Sequence, residues 1–161
     1  MENKYASIIE SPIGDIVIIA DETAVNEITF SQRNIEGLME NKHSLKAAKE
    51  LKCYFEGSIK EFSFPIQQKG TDFQQGVWQN LLKIPYGETT SYAKFSAHKP
   101  LAIRAIAAAN GKNNIAIVVP CHRVIGSDGK LVGYAGELWR KKWLLQHEID
   151  IAQKGQTALK F

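Results

Sequence analysis

The chain has 161 residues, 44% apolar and 23% charged, with a formal net charge of +3. That composition excludes a disordered tail and supplies one sizeable core, or two small ones sharing an interface. No apolar run approaches the ~20 residues of a membrane-spanning helix, and Met1-Glu2-Asn3-Lys4-Tyr5 lacks the basic and apolar parts of a secretion signal. Two cysteines and no targeting segment make a reducing cytoplasm the expected location, with no membrane partner. The charge is uneven: Tyr86 to His147 holds nine Lys or Arg against three acids, a net +6, leaving −3 for the rest. A basic C-terminal half points to a polyanionic partner, with a solvated charged surface as the plain alternative.

Along the chain, Tyr5–Ile9, Ile13–Ala20 and Ala24–Phe30 are rich in Ile and Val and separated by Ser11-Pro12 and Asp21-Glu22-Thr23, which predicts a meander of antiparallel strands. Ser44–Phe55 sets Leu45, Ala48, Leu51 or Lys52, and Phe55 at helical spacing, with Gly57 as a stop. Phe62–Ile66 reads as a short strand. His43 and Cys53 are the only histidine and cysteine before residue 98, too few for a four-coordinate site, so no metal is expected.

A boundary is expected near Lys69-Gly70-Thr71, dividing residues 1–69 from 70–150 and leaving 151–161 as a tail. Asp72 with Gln75 resembles a capping pair, and Phe73, Val77, Trp78, Leu81 and Leu82 form one apolar stripe. A short helix over Ser91–Ala97, then a second opened by Pro100 and closed by Gly111, make a helix-turn-helix candidate, although an ordinary helical hairpin fits the pattern equally. The second helix is mostly Ala, with Arg104 its one long cation. The amphipathic stretch Leu138–Ile149 is expected to bury Leu144, Leu145 and Trp139; Trp78, Trp143 and Phe95 are read as core or interface residues.

Between the second of these helices and Leu138 lies Ile117-Val118-Val119-Pro120-Cys121-His122-Arg123-Val124. Neighbouring His and Arg can lower a thiol pKa, and the thiolate is the form that attacks carbon. Most free cysteines are simply small buried hydrophobes. Gly126, Gly129, Gly133 and Gly136 follow at short intervals and give a side-chain-poor loop that a substrate can approach closely.

Pro-Cys-His-Arg-Val after aliphatic residues resembles the active-site signature of the O6-alkylguanine-DNA alkyltransferases. The similarity runs from Phe73 to Glu148 and includes Phe73-Gln74-Gln75-Gly76-Val77-Trp78, Ile84-Pro85-Tyr86-Gly87-Glu88, Ser91-Tyr92, Arg104-Ala105, Asn110-Gly111-Lys112-Asn113 and Gly133-Tyr134. The resemblance implies an α+β fold: a small N-terminal ribonuclease-H-like sheet domain and a mostly helical, winged helix-turn-helix-like C-terminal domain. It implies transfer of an alkyl group from O6 of guanine, less efficiently O4 of thymine, in duplex DNA to Cys121, once per molecule and without a cofactor.

By the same resemblance His122 takes the thiol proton through a water, Glu148 orients that histidine, and Tyr134 and Lys141 donate toward the departing base. Val124, Ala135, Gly136 and Asn113 belong to the base pocket or tie it to the helix. Tyr92, Ala102, Arg104, Ala105, Ala108 and Gly111 face the minor groove, with Arg104 filling the space of an extruded nucleotide. A monomer is implied, with cooperative assembly on DNA left open. Taken singly, Glu148 and Lys141 would be read as solvated and Tyr134 as an ordinary loop aromatic; their joint order sets them apart. Two departures stand out: the Tyr92–Arg104 segment is about two residues shorter than in many relatives, and Ala135 stands where some have serine. A non-catalytic helix-turn-helix binder or regulator is the alternative, and the presence of Cys121 argues against it.

Overall fold

The computed structural model describes residues 3–159, with side chains through residue 153. These divide into two compact units, Met1–Lys69 with Asn114–Val118, and Gly70–Asn113 with Val119–Phe161. Residues 114–118 were expected in the second unit. They join the first because Ile28 donates its N–H to Asn114 O and accepts from Ala116 N, adding an extended segment beside the third strand.

The first unit is an antiparallel meander of β1 (Tyr5–Ile9), β2 (Ile16–Ala20) and β3 (Val25–Thr29), in that order, with α1 (Lys42–Glu56) packed against it. β2 starts later than its apolar run because Ser11–Gly14 closes a turn through Gly14 N–H to Ser11 O. The next turn is held by Asp21, whose carboxylate accepts from the N–H groups of Thr23 and Ala24. Phe62–Ile66 is not a strand: only Ile66 bridges, in parallel, to Val25, since Pro65 has no amide hydrogen to continue a ladder.

In α1 the predicted stripe is out of phase. Asn41 caps the helix and the buried face is Ser44, Ala47, Ala48, Leu51 and Tyr54, leaving Leu45 exposed. The phase follows Tyr54, which packs edge-on and tilted against Phe55 and Phe62, and Ser44, whose hydroxyl is satisfied by Ser7.

The second unit begins with α2 (Asp72–Leu81). Its capping box is Thr71 with Gln74, one residue ahead of the predicted pair. Val77, Trp78 and Leu81 are buried, whereas Phe73 and Leu82 remain partly exposed. Two-residue strands β4 (Thr90–Ser91) and β5 (Val124–Ile125) pair in parallel. Between them lie α3 (Tyr92–Phe95), a 3₁₀ turn Pro100–Ala102, and α4 (Ile103–Gly111). The helix-turn-helix is thus present with a single-turn first helix, and Pro100 opens a 3₁₀ turn rather than α4 itself. Trp78 docks α4 by donating its indole N–H to Ala109 O at 2.9 Å.

The last element, α5 (Leu138–Leu159), replaces most of the expected tail: residues 151–159 continue the helix, and 160–161 lie outside the described residues. No proline interrupts it, and Ala152 abuts Gly87, where an added Cβ would come within 2.8 Å of the alanine Cβ. Trp139 is exposed, with Arg140 over its ring, because the buried stripe of α5 is Lys141, Leu144, Leu145 and Glu148. No helix among the described residues is long and apolar enough to cross a membrane.

Candidate active site

Two sharp turns deliver Cys121. Ile117 has φ of 72°, costly for a β-branched residue, and is closed by Val118 N–H to Ala116 O at 2.8 Å. Pro120, at φ −82° and ψ 62°, forms an inverse γ-turn closed by Cys121 N–H to Val119 O at 2.8 Å. The chain then makes a single 3₁₀ turn, Cys121–Arg123, whose three consecutive side chains point about 120° apart.

From that turn His122 and Arg123 converge on Glu148. Glu148 Oε2 accepts from His122 Nε2 at 2.7 Å and Arg123 Nη2 at 3.1 Å; Oε1 accepts from Arg123 Nε at 2.8 Å and Gly87 N at 3.3 Å. Arg123 Nη1 donates to Ile84 O at 2.7 Å, and its guanidinium lies over the Tyr86 ring. Burial works against the Glu148 carboxylate, but attraction to His122 and the hydrogen bonds from His122 and Arg123 outweigh it and hold the carboxyl far below the usual range. With Glu148 ionised, His122 Nε2 carries the hydrogen and Nδ1 keeps the lone pair. Nδ1 is buried and hydrogen-bonds no described protein group. Burial pushes the His122 imidazole down against the pull of Glu148, so it rests neutral.

Cys121 is 7% exposed, and its Sγ receives Asn113 Nδ2 at 3.4 Å; the same amide donates to Val119 O at 2.9 Å. His122 and Arg123 do not lower the thiol pKa, as adjacency had suggested, since both are committed to Glu148. Burial pushes the thiol up, opposed by the Asn113 hydrogen bond and the Lys141 charge. The resting sulfur is a thiol awaiting a base.

Lys141 is wholly buried, not solvated. Its three ammonium hydrogens meet three carbonyls, Val124 O at 2.7 Å, Val132 O at 2.8 Å and Gly133 O at 3.3 Å. It therefore staples β5 to the following loop, and direct donation to a ligand costs one of those bonds. Burial lowers its pKa, opposed by Cys121. Tyr134, in the same loop, has a hydroxyl held well above its ordinary pKa by burial and then by Cys121. Val124 and Gly136 are buried; Ala135 is exposed.

On the helix-turn-helix, Arg104, Ala105, Ala108 and Gly111 are exposed and Ala102 half-buried, opposite the buried Ile106, Ala109 and Asn110. The half-buried Tyr92 accepts from Asn110 Nδ2 at 2.6 Å, linking α3 to α4. Sequence reasoning missed three features: the Gly87 amide on Glu148, the Tyr92–Asn110 link and the strained Ile117. Only the glycine left a signal, in a Pro-Tyr-Gly turn. Among the described residues no three His, Cys, Asp or Glu cluster in a metal-holding arrangement.

A buried cysteine beside a neutral histidine on an ionised carboxylate, housed in a helix-turn-helix unit and preceded by a small sheet unit, defines the class: a cysteine-centred protein with a DNA-binding architecture. Residues 72–149 match the family described as 6-O-methylguanine DNA methyltransferase, DNA binding domain, and residues 4–68 match its ribonuclease-like domain. The chain belongs to the 6-O-methylguanine DNA methyltransferase family. It is 46% identical over 152 residues to a methylated-DNA–protein-cysteine methyltransferase of Methanosarcina barkeri, covering 89% of this chain and 96% of that one. A crystal structure of Mycobacterium tuberculosis O6-methylguanine methyltransferase superposes with a TM-score of 0.84 at 38% identity, covering 97% and 99% of the two chains. Mycobacterium tuberculosis OGT in complex with DNA superposes at 0.83 with 40% identity, covering 91% and 94%.

Proposed function

We propose that this protein repairs duplex DNA by taking the alkyl group of O6-alkylguanine onto Cys121 Sγ. The observation that carries the assignment of residues is the neutral His122, fixed by Glu148 through Nε2 and offering the Nδ1 lone pair, in the turn that bears the thiol. A water between Nδ1 and Sγ carries the thiol proton to the imidazole, and Glu148 stabilises the imidazolium. Sγ then attacks the alkyl carbon in line. The C–S bond forms, the C–O6 bond breaks, and its electron pair stays on the purine oxygen. Guanine departs neutral after gaining a proton on its ring, and Tyr134, whose hydroxyl feels the charge of Cys121, is assigned that donation.

Asn113 and the Lys141 charge favour the transient thiolate. Lys141 acts by holding the loop that carries Tyr134, Ala135 and Gly136, and Val124 presents backbone to the base. Because the thioether has no leaving path, each molecule reacts once. Reaction at O6 requires the nucleotide to leave the stack. We assign α4 to the minor groove, with Arg104 entering the vacated space, Ala102, Ala105, Ala108 and Gly111 permitting close approach, and Tyr92 beside the phosphate of the turning nucleotide. O4-alkylthymine is a poorer substrate of the same site.

Mass spectrometry of protein incubated with an O6-methylguanine duplex tests the assignment. One added methyl on the Cys121 peptide, absent in Cys121→Ala, is the expected result. Unchanged mass with retained binding would make the protein a damage binder.

A further inference from the structure

The most exposed of the large apolar side chains among the described residues is Leu101. It is 103% exposed, against 75% for Met39, the next of these, although leucine in a 3₁₀ turn at the head of a packed helix would ordinarily be turned inward. Its position along the helix is the informative part. Leu101, Arg104, Ala105 and Ala108 stand at i, i+3, i+4 and i+7, one continuous exposed stripe, while Ile106, Ala109 and Asn110 form the buried one. Exposed Lys99 and Lys112 bracket the stripe in the chain and exposed Lys94 stands on the neighbouring α3, so its surroundings suit a polyanion better than an apolar protein partner.

We infer that Leu101 is a second DNA-contact residue, an apolar wedge pressed into the minor groove about one helical turn ahead of Arg104. This rests on the assignment of α4 to DNA given above. Three residues of helix advance about 4.5 Å, and somewhat more through a 3₁₀ turn, against about 3.4 Å per base pair, so the leucine meets the duplex one to two steps from the nucleotide that Arg104 replaces. There it widens the groove and loosens stacking, which lowers the cost of extruding the damaged base. It does no chemistry on the base and touches no group of the Cys121 site.

The test compares single-turnover transfer from an O6-methylguanine duplex with transfer from free O6-benzylguanine base. Leu101→Ala is expected to slow the duplex reaction about tenfold, as loss of a partly buried leucine contact does, and to leave the free-base rate within about twofold. Leu101→Met restores the duplex rate. The dependence of log affinity on log salt keeps its slope, because an apolar contact releases no counterions. A fluorescent base analogue next to the lesion shows less unstacking with Leu101→Ala. An unchanged duplex rate overturns the inference, as do equal losses on both substrates or a self-association of the free protein that vanishes in the variant, which would assign Leu101 to a second copy. Failure of the underlying reading is distinct: wild-type protein then acquires no methyl on Cys121 from either substrate.

Discussion

Glu148 is one carboxylate answering two partners, a neutral imidazole and a guanidinium, and each depends on it differently. For His122 it selects the tautomer that leaves Nδ1 available; for Arg123 it neutralises a guanidinium that is otherwise buried without a counter-charge. Glu148→Gln keeps the shape and removes the charge. It should slow transfer about a hundredfold, the scale of a lost general base, and destabilise the fold by about 3 kcal/mol, because half of a buried pair is left behind. The same residues set the acid response. The folded imidazole lies below its ordinary 6.5 and the folded carboxyl below its ordinary 4.5. Each therefore binds fewer protons folded than unfolded, so stability rises with pH. The urea midpoint should hold above pH 7, fall as pH drops through 6.5 and fall again below 4.5. Glu148→Gln should lessen that last decline, leaving the part due to Asp21, whose carboxyl is lowered to about 2 by hydrogen bonds from Thr23, Ala24 and Asn26, and a flat midpoint between pH 7 and 4 would contradict the whole account.

At the scale of elements, the site is a meeting of α5 with two turns, Pro85–Glu88 and Pro120–Arg123. Gly87, at φ 79°, tucks beneath the helix at Ala152 and gives its amide to Glu148. Gly87→Ala should cost about 2–3 kcal/mol, combining a left-handed backbone with overpacking, and should slow transfer with it. Gly76→Ala makes the control with the opposite sign: it sits within α2 with open space around it, so it should stabilise by about 0.5–1 kcal/mol, measured by urea unfolding.

Elements were also where sequence reading was strongest and weakest. The β1 bounds and the glycine stop of α1 were legible because turn chemistry and Ile/Val runs are local signals. Helix phase was not: Tyr54 or Leu45 could each have faced inward until the Phe62 cluster decided it. Lys141 and Glu148 were legible only through family resemblance, since charges on a helix read as solvated. Their burial depends on three carbonyls, one imidazole and one guanidinium contributed from distant segments.

At the scale of the molecule, the two family matches end and begin either side of residue 70, which invites treating the protein as two beads on a string. The path of the backbone says otherwise, since residues 114–118 leave the C-terminal unit, carry the buried Ile115 and Ile117 into the first unit with Ile115 beside Ile28, and return just ahead of Cys121. A gene truncated to start at Gly70 would thus export two isoleucines with no home into water, while the complementary piece would lose a stitched edge. Produced separately, both should be recovered mainly in the insoluble fraction, whereas intact protein stays in solution. The repair chemistry is borrowed from a chain that has to be made whole.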